Sequence, residues 1–104
     1  MDVSFGSFIW SLEKELENFA KHGVDFMSAA EVFKDPRIIM LTDSKHSQSE
    51  ERFFGIGRIE SGIITIRYVY REDKIRILGA GFWRRGRRRY EQKERFEYAG
   101  GPAD

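Results

Sequence analysis

The sequence predicts an α+β fold: two N-terminal helices packed on a three- to four-stranded antiparallel sheet, with a C-terminal helix closing the chain. Three observations lead there. Between residues 8 and 22, apolar residues recur at spacings of three and four, the period of a helix. From Ile38 to Ala80 the pattern becomes that of strands, separated by connections too short for the helical crossovers of a parallel sheet. After Phe82 the chain stays polar and basic for the length of one more helix.

The elements follow in order. In the first helix, Leu12, Leu16, Phe19 and Ala20 form the apolar face, with Glu13, Lys14, Glu17 and Asn18 between them. Gly23, preceded by Lys21 and His22, is its C-terminal stop. Ser28 stands three residues before Glu31, the spacing of a capping box, and Met27 can staple against Val32 across that cap. This second helix is short and meets Asp35-Pro36, a strong breaker.

Ile38–Leu41 reads as a strand and Thr42–Glu51 as a polar loop. Arg52–Glu60, Ile63–Tyr70 and Ile75–Ala80 complete the sheet, joined by turns at Glu60-Ser61-Gly62 and at Arg71-Glu72-Asp73-Lys74. On the middle strand Ile64, Ile66, Tyr68 and Tyr70 share one face, and Ile63, Thr65, Arg67 and Val69 the other. The last helix spans 84–98, although Gly86 in its interior costs about 1 kcal/mol. Trp83, Tyr90 and Phe96 are the residues available to hold it to the sheet. Gly100-Gly101-Pro102 reads as a frayed tail.

Size and composition narrow the function. A chain of 104 residues is expected to form one domain, residues 1–104. Cysteine is absent, which removes disulfides, thiolate nucleophiles and Cys-ligated metals. Two histidines, His22 and His46, are a thin basis for a zinc site, so no metal or cofactor is expected. No apolar run approaches the roughly 20 residues of a membrane span, and the N-terminus lacks the pattern of a signal peptide. A cytoplasmic protein is the resulting expectation.

Charge is distributed unevenly. Residues 1–51 carry 5 Lys/Arg against 10 Asp/Glu, whereas residues 52–104 carry 13 against 7. The basic half culminates in Phe82-Trp83-Arg84-Arg85-Gly86-Arg87-Arg88-Arg89-Tyr90. Such a stretch can hold a polyanion or an acidic partner. Arg84, Arg85 and Arg88 fall on one side of the helix, with Arg87 off to the other, and Glu91 is within reach of Arg87 and Arg88 only. Trp83 reads as core, and Tyr90 as either an anchor or a base-stacking ring.

On the sheet, Arg67 and Arg71 share a face if the strand continues that far, and Arg76 lies on the next strand. Taken singly, each reads as an exposed residue paired with Glu60, Glu72 or Asp73; taken together, they form a cluster that an anion would neutralise. Cleavage of a phosphodiester by its neighbouring 2′-hydroxyl needs a base, cations around the crowded phosphorus and a proton for the leaving 5′ oxygen. His46 or Glu50 can serve as base. Arg52, Arg67 and Arg76 can serve as phosphate clamps. His22, beside Gly23, reads as a helix-terminal hydrogen bonder.

Trp10-Ser11, Lys14, Asn18, Lys21-His22-Gly23-Val24-Asp25-Phe26, Ala29-Ala30, Val32-Phe33 and Asp35-Pro36 carry a likeness to a known family: with them the chain resembles the BrnT family of toxins. The likeness continues through Asp43, His46, Glu50, Arg52, Ile56-Gly57 and Arg76-Ile77-Leu78-Gly79-Ala80, and covers residues 8 to about 91. The resemblance implies a RelE-like fold and a metal-independent ribonuclease that arrests translation, as the toxin of a type II toxin–antitoxin pair. It implies a small BrnA-like antitoxin as partner, operator DNA bound only through that complex, and assembly as a dimer or heterotetramer. Arg52, Arg67, Arg76, His46 and Glu50 would act in catalysis, and Arg84, Arg85, Arg88 and Tyr90 in RNA binding.

Two departures stand out. Many members place Arg where this chain has Gly81, and Ser11 stands where they have Asp. Ser caps helix N-termini well. The loss of an arginine at Gly81 removes a phosphate-clamping group, which leaves open a non-catalytic module that binds an antitoxin or nucleic acid.

Overall fold

One sheet of six strands organises residues 1–98, the part of the chain described by this computed structural model; the expected glycine-rich tail lies outside the described residues. The chain runs β1 (Asp2–Phe5), β2 (Phe8–Ser11), α1 (Leu12–His22), α2 (Phe26–Ala29), a 3-10 segment (Ala30–Lys34), β3 (Ile39–Thr42), a 3-10 turn (Ser44–His46), β4 (Phe53–Ile59), β5 (Gly62–Arg71), β6 (Lys74–Gly81) and α3 (Arg84–Tyr98). The strand order is β1-β2-β6-β5-β4-β3.

The sheet is therefore larger than the three or four strands expected. The α+β arrangement stands, but residues 2–11 add a hairpin turned at Gly6, whose φ of 59° suits a residue without Cβ. Its second strand runs straight into α1, and Ser11 ends the one while its hydroxyl caps the other by accepting from the Lys14 N–H. The expectation of a purely antiparallel sheet is also corrected, because β2 lies parallel to β6. Their connection is the whole middle of the chain, so the argument from short turns applies only from β3 to β6.

The first helix buries a different face from the one its apolar pattern indicates. Leu16 is 61% exposed and Phe19 53%, whereas Asn18 is buried. Polar ties hold this helix instead. Glu15 accepts from the Trp10 indole N–H at 2.9 Å and from the Phe26 N–H at 2.8 Å, and Asn18 bonds the backbone of Ala80. Gly23 ends the helix as expected, at φ 71°, with its N–H donating to the Phe19 carbonyl.

The cap of the second helix is Asp25, whose carboxylate accepts from the N–H and the hydroxyl of Ser28. Ser28 is thus the capped residue rather than the cap, and Met27 lies exposed while Val32 is fully buried, so the expected staple does not form. Asp35-Pro36 does stop the segment.

The main core lies between α2, the 3-10 segment and one sheet face: Trp10, Phe26, Val32, Ile64, Ile66, Tyr68 and Ile77. On the other face α3 covers Ile56 and Ile63 with Tyr90. Gly86 allows that approach, since a Cβ there would overlap the Thr65 hydroxyl. The Tyr90 hydroxyl donates to Asp35 at 2.6 Å, which fixes the middle of the helix. Phe96, expected to help, is exposed.

A bulge in β6 decides the chemistry of that second face. Arg67 lies opposite Gly79 but Tyr68 opposite Ile77, leaving Leu78 as the extra residue. Without the bulge, Arg76 would pair with Tyr70 and point to the core face. With it, Arg76 lies opposite Val69 and shares the face of Arg67 and Arg71.

Candidate active site

The half of this face beyond α3 carries Arg67, diagonal to Arg76 across the β5–β6 pair and so about 7–8 Å from it between Cα atoms. Arg67 lies flat over Gly79, where a Cβ would come within 2.7 Å of its Nη2. Its guanidinium stands 5.9 Å from the centre of the Trp83 ring. Trp83 in turn lies over Gly81, where a Cβ would come within 3.0 Å of the indole, and the His22 ring meets it edge-on at 5.0 Å. Two side-chain-free positions thus form a shelf for one cation and one ring. Among the described residues no carboxylate pairs with Arg67.

The neighbouring arginines are paired, though not with Glu60, Glu72 or Asp73 as expected. Arg76 binds Asp2 at 2.7 Å, and its Nε is buried without a partner. Arg71 binds Glu50 through two contacts of 2.7 and 3.0 Å. The hydrogen bonds from Arg76 and from Arg71 hold the Asp2 and Glu50 carboxyls below their ordinary range. An ionised, doubly bonded Glu50 is a poor general base. Its bond to Arg71 draws the 43–52 loop to the arginine face, and Arg52 adds to the positive field on Glu50.

That loop carries His46. Its Nδ1 lies 2.9 Å from Oδ2 of buried Asp43. The carboxylate accepts, so Nδ1 holds the proton and Nε2 is left as the basic nitrogen, facing away from Asp43. The Ser47 hydroxyl donates to the Asp43 carbonyl and accepts from the Arg52 N–H, which closes the loop on itself. Sequence reasoning counted Asp43 in the family likeness but gave it no role beside His46; its spacing of three from His46 inside a polar loop was the available signal.

The N-terminal turns of α3 border the same region. Arg85 and Arg89 line a groove of about 580 Å³ with Leu41, Phe54, Thr65 and Trp83. Arg84 and Arg88 are exposed on the helix and do not line it. Arg87 pairs with Glu91 at 3.7 Å as expected, while no Arg88–Glu91 pair forms. Tyr90 is 3% exposed, bonded to Asp35, with the Arg58 guanidinium 5.6 Å from its ring centre. It anchors the helix, and the expectation of a ring offered to a base is corrected accordingly.

Arg67, Arg71, Arg76 and Glu50 are therefore brought to one face, with the His46 loop drawn to its border and Arg85 and Arg89 beside Trp83. The family model for the ribonuclease toxin BrnT of type II toxin–antitoxin systems matches residues 10–94. The chain belongs to this family. No curated protein matches the chain. As a BrnT-family member it is a ribonuclease toxin, with an antitoxin partner and a nucleic-acid substrate. Asp2 falls outside the matched span, so the partner of Arg76 comes from beyond the family pattern. Among the described residues no helix is long and apolar enough to cross a membrane, and no cluster of three His, Asp or Glu could hold a metal.

Proposed function

We propose that residues 1–104 form one RelE-like domain that cleaves RNA by attack of a 2′-hydroxyl on the adjacent phosphorus, with arginines rather than a metal stabilising the charge. The observation that carries this is Arg67: a guanidinium fixed by Gly79 and Trp83, with no carboxylate among the described residues to neutralise it, on the open part of the sheet. Such a preorganised cation costs nothing to position when charge develops on the phosphorane. Arg76 and Arg52 add donors around the non-bridging oxygens.

His46, oriented by Asp43, takes the 2′ proton on Nε2 as the 2′-oxygen bonds to phosphorus; the phosphorus–5′-oxygen bond then breaks, and the leaving oxygen takes its proton from water, which gives a 2′,3′-cyclic phosphate and a 5′-hydroxyl. Glu50 is kept as the residue that fixes the loop rather than as the base. Arg84, Arg85 and Arg88 hold the RNA backbone, with Arg89 joining them. The antitoxin is a BrnA-like protein that covers this basic face in a heterotetramer and supplies the contacts to operator DNA.

A second reading has one observation in its favour. Trp83 fills the space over Gly81 where other members carry an arginine, as a binding module that has lost catalysis would allow.

Cleavage of a defined RNA in EDTA separates the two. Cutting by the wild type that Arg67→Ala and His46→Ala each abolish, with both variants folded, supports the nuclease. No cutting, in free RNA or in a translating extract, would leave the binding module.

A further inference from the structure

We propose that the groove between the first turns of α3 and strands β3–β5 receives one unpaired nucleobase of the RNA substrate, and so sets base preference; this rests on the ribonuclease reading above. The groove encloses about 580 Å³, ample for a purine. Its wall is apolar, made by Leu41, Phe54 and the indole of Trp83, and Arg85 and Arg89 stand along one side. These two arginines are one helical turn apart, and among the described residues neither pairs with a carboxylate.

The combination selects its occupant. A free anion would satisfy the guanidiniums but leave the rings unused. An apolar peptide would use the rings but bury two cations without partners. A nucleobase with its flanking phosphates does both: its π-face lies against an aromatic ring and its phosphate oxygens meet the guanidiniums.

The floor supplies a reading group. Thr65 is 8% exposed, and among the described residues its hydroxyl makes no hydrogen bond to the protein. A hydroxyl both donates and accepts, so it can bond the edge of a base. Gly86 holds the helix close above it, which fixes the groove's depth.

Trp83 is the common wall between this groove and the catalytic face, since it lines the one and stacks on Arg67 in the other. A base seated here is therefore adjacent to the phosphate held by Arg67. β3 is the edge strand of the sheet, so a single strand can enter from outside without crossing the molecule.

The test is a ¹H–¹⁵N titration of the whole chain with each of the four nucleoside 5′-monophosphates, with ribose 5-phosphate as the base-free control. The expected result is that at least one nucleotide shifts the Thr65 and Gly86 amides and the Trp83 indole N–H, while ribose 5-phosphate does not. Phe54→Ala should weaken that binding roughly 5- to 100-fold, and Thr65→Val should change the ranking of the four bases. Should Phe54→Ala fail to fold, Leu41→Trp fills the groove from its half-buried wall and should abolish the shifts. Equal shifts with ribose 5-phosphate would overturn the proposal in favour of a phosphate site, and shifts caused only by purified antitoxin would make the groove a protein contact. If no nucleotide binds there while RNA is still cut in EDTA, the groove is not a base site and the nuclease reading survives.

Discussion

The side-chain amide of Asn18 holds both backbone groups of Ala80, 62 residues further along the chain: Nδ2 donates to the Ala80 carbonyl at 2.8 Å and Oδ1 accepts from its N–H at 3.1 Å. β2 pairs with β6 only as far as Ile77, because it turns into α1 at Ser11. Ala80 is then left on an open edge inside the core, and one amide stands in for the missing strand.

Replacing that amide should be expensive. Asn18→Ala orphans two buried backbone groups, at about 1–3 kcal/mol each, and should lower stability by about 2–6 kcal/mol in urea unfolding. Asn18→Asp should fail as well, since a carboxylate cannot donate to the Ala80 carbonyl. An Asn18→Ala protein as stable as wild type would mean that water replaces the amide.

Gly86 should resist substitution despite its place inside a helix. Alanine would raise helix propensity by about 1 kcal/mol but collide with Thr65. Gly86→Ala should therefore lower Tm, and Gly86→Ala with Thr65→Ala should recover most of the loss. Simple additivity of the two single changes would argue against the contact.

The Asp35–Tyr90 pair should limit the pH range of the fold at both ends. Burial alone would raise the Asp35 carboxyl, but bonds from the Tyr90 hydroxyl and from the Arg58 and Arg37 N–H groups outweigh it and hold it below its ordinary 3.8. The folded state thus binds this proton less readily than the unfolded chain, and the stabilisation is lost as pH falls through that depressed value. Burial and the bond to Asp35 push Tyr90 up to about 12 from 10.0. Its contribution is complete below pH 10 and is lost as pH rises from there through about 12. Tyr90→Phe should flatten the alkaline limb of a Tm-against-pH curve and leave an acid limb; an unchanged alkaline limb would assign it to another group.

Asp43 should matter to turnover without touching RNA. Asp43→Asn offers His46 an amide in place of a carboxylate, so Nε2 is no longer reliably the basic nitrogen. The expected effect is a fall in kcat of about 10²-fold or more, with KM and the far-UV spectrum little changed. An Asp43→Asn protein that cuts at the wild-type rate would remove His46 from the chemistry.

Placing at Gly81 the arginine that the sequence resemblance leads one to expect should not create a phosphate clamp by itself. Gly81→Arg pushes against the Trp83 indole, and loosening Trp83 also loosens Arg67. Lower activity than wild type is expected, together with altered Trp83 fluorescence. A gain in activity would show that the site accommodates both groups.

The hairpins from β4 to β6 and the stops at Gly23 and Asp35-Pro36 were legible because each rests on local chemistry: strand-forming runs, turn residues and a breaker. The N-terminal hairpin was not, since Phe8-Ile9-Trp10 is too short to show a strand period before α1 begins. The face of α1 was misread for a different reason. Its packing is set by Glu15 and Asn18 finding backbone partners, and hydrophobic periodicity is blind to such partners. At the site, Arg67, Arg71 and Arg76 were legible as a cluster, but the Leu78 bulge that turns Arg76 to the side of Arg67 leaves no mark in the spacing. Tyr90 reads from the sequence as either an anchor or a stacking ring, because the partner that decides between them, Asp35, lies 55 residues away.

The position of β6 between β2 and β5 has a consequence for how the toxin comes into being. Arg67 has no shelf until Gly79 is in place, and no ring beside it until Trp83 follows. At about 5–20 residues per second, a ribosome making this chain completes four-fifths of it before the parts of the site can meet. Pairing across so long a span is also slow to form. On the site proposed above, the chain therefore lacks its phosphate clamp until Trp83 has been made and the sheet has closed, and an antitoxin that binds within that interval would meet a toxin not yet able to cut.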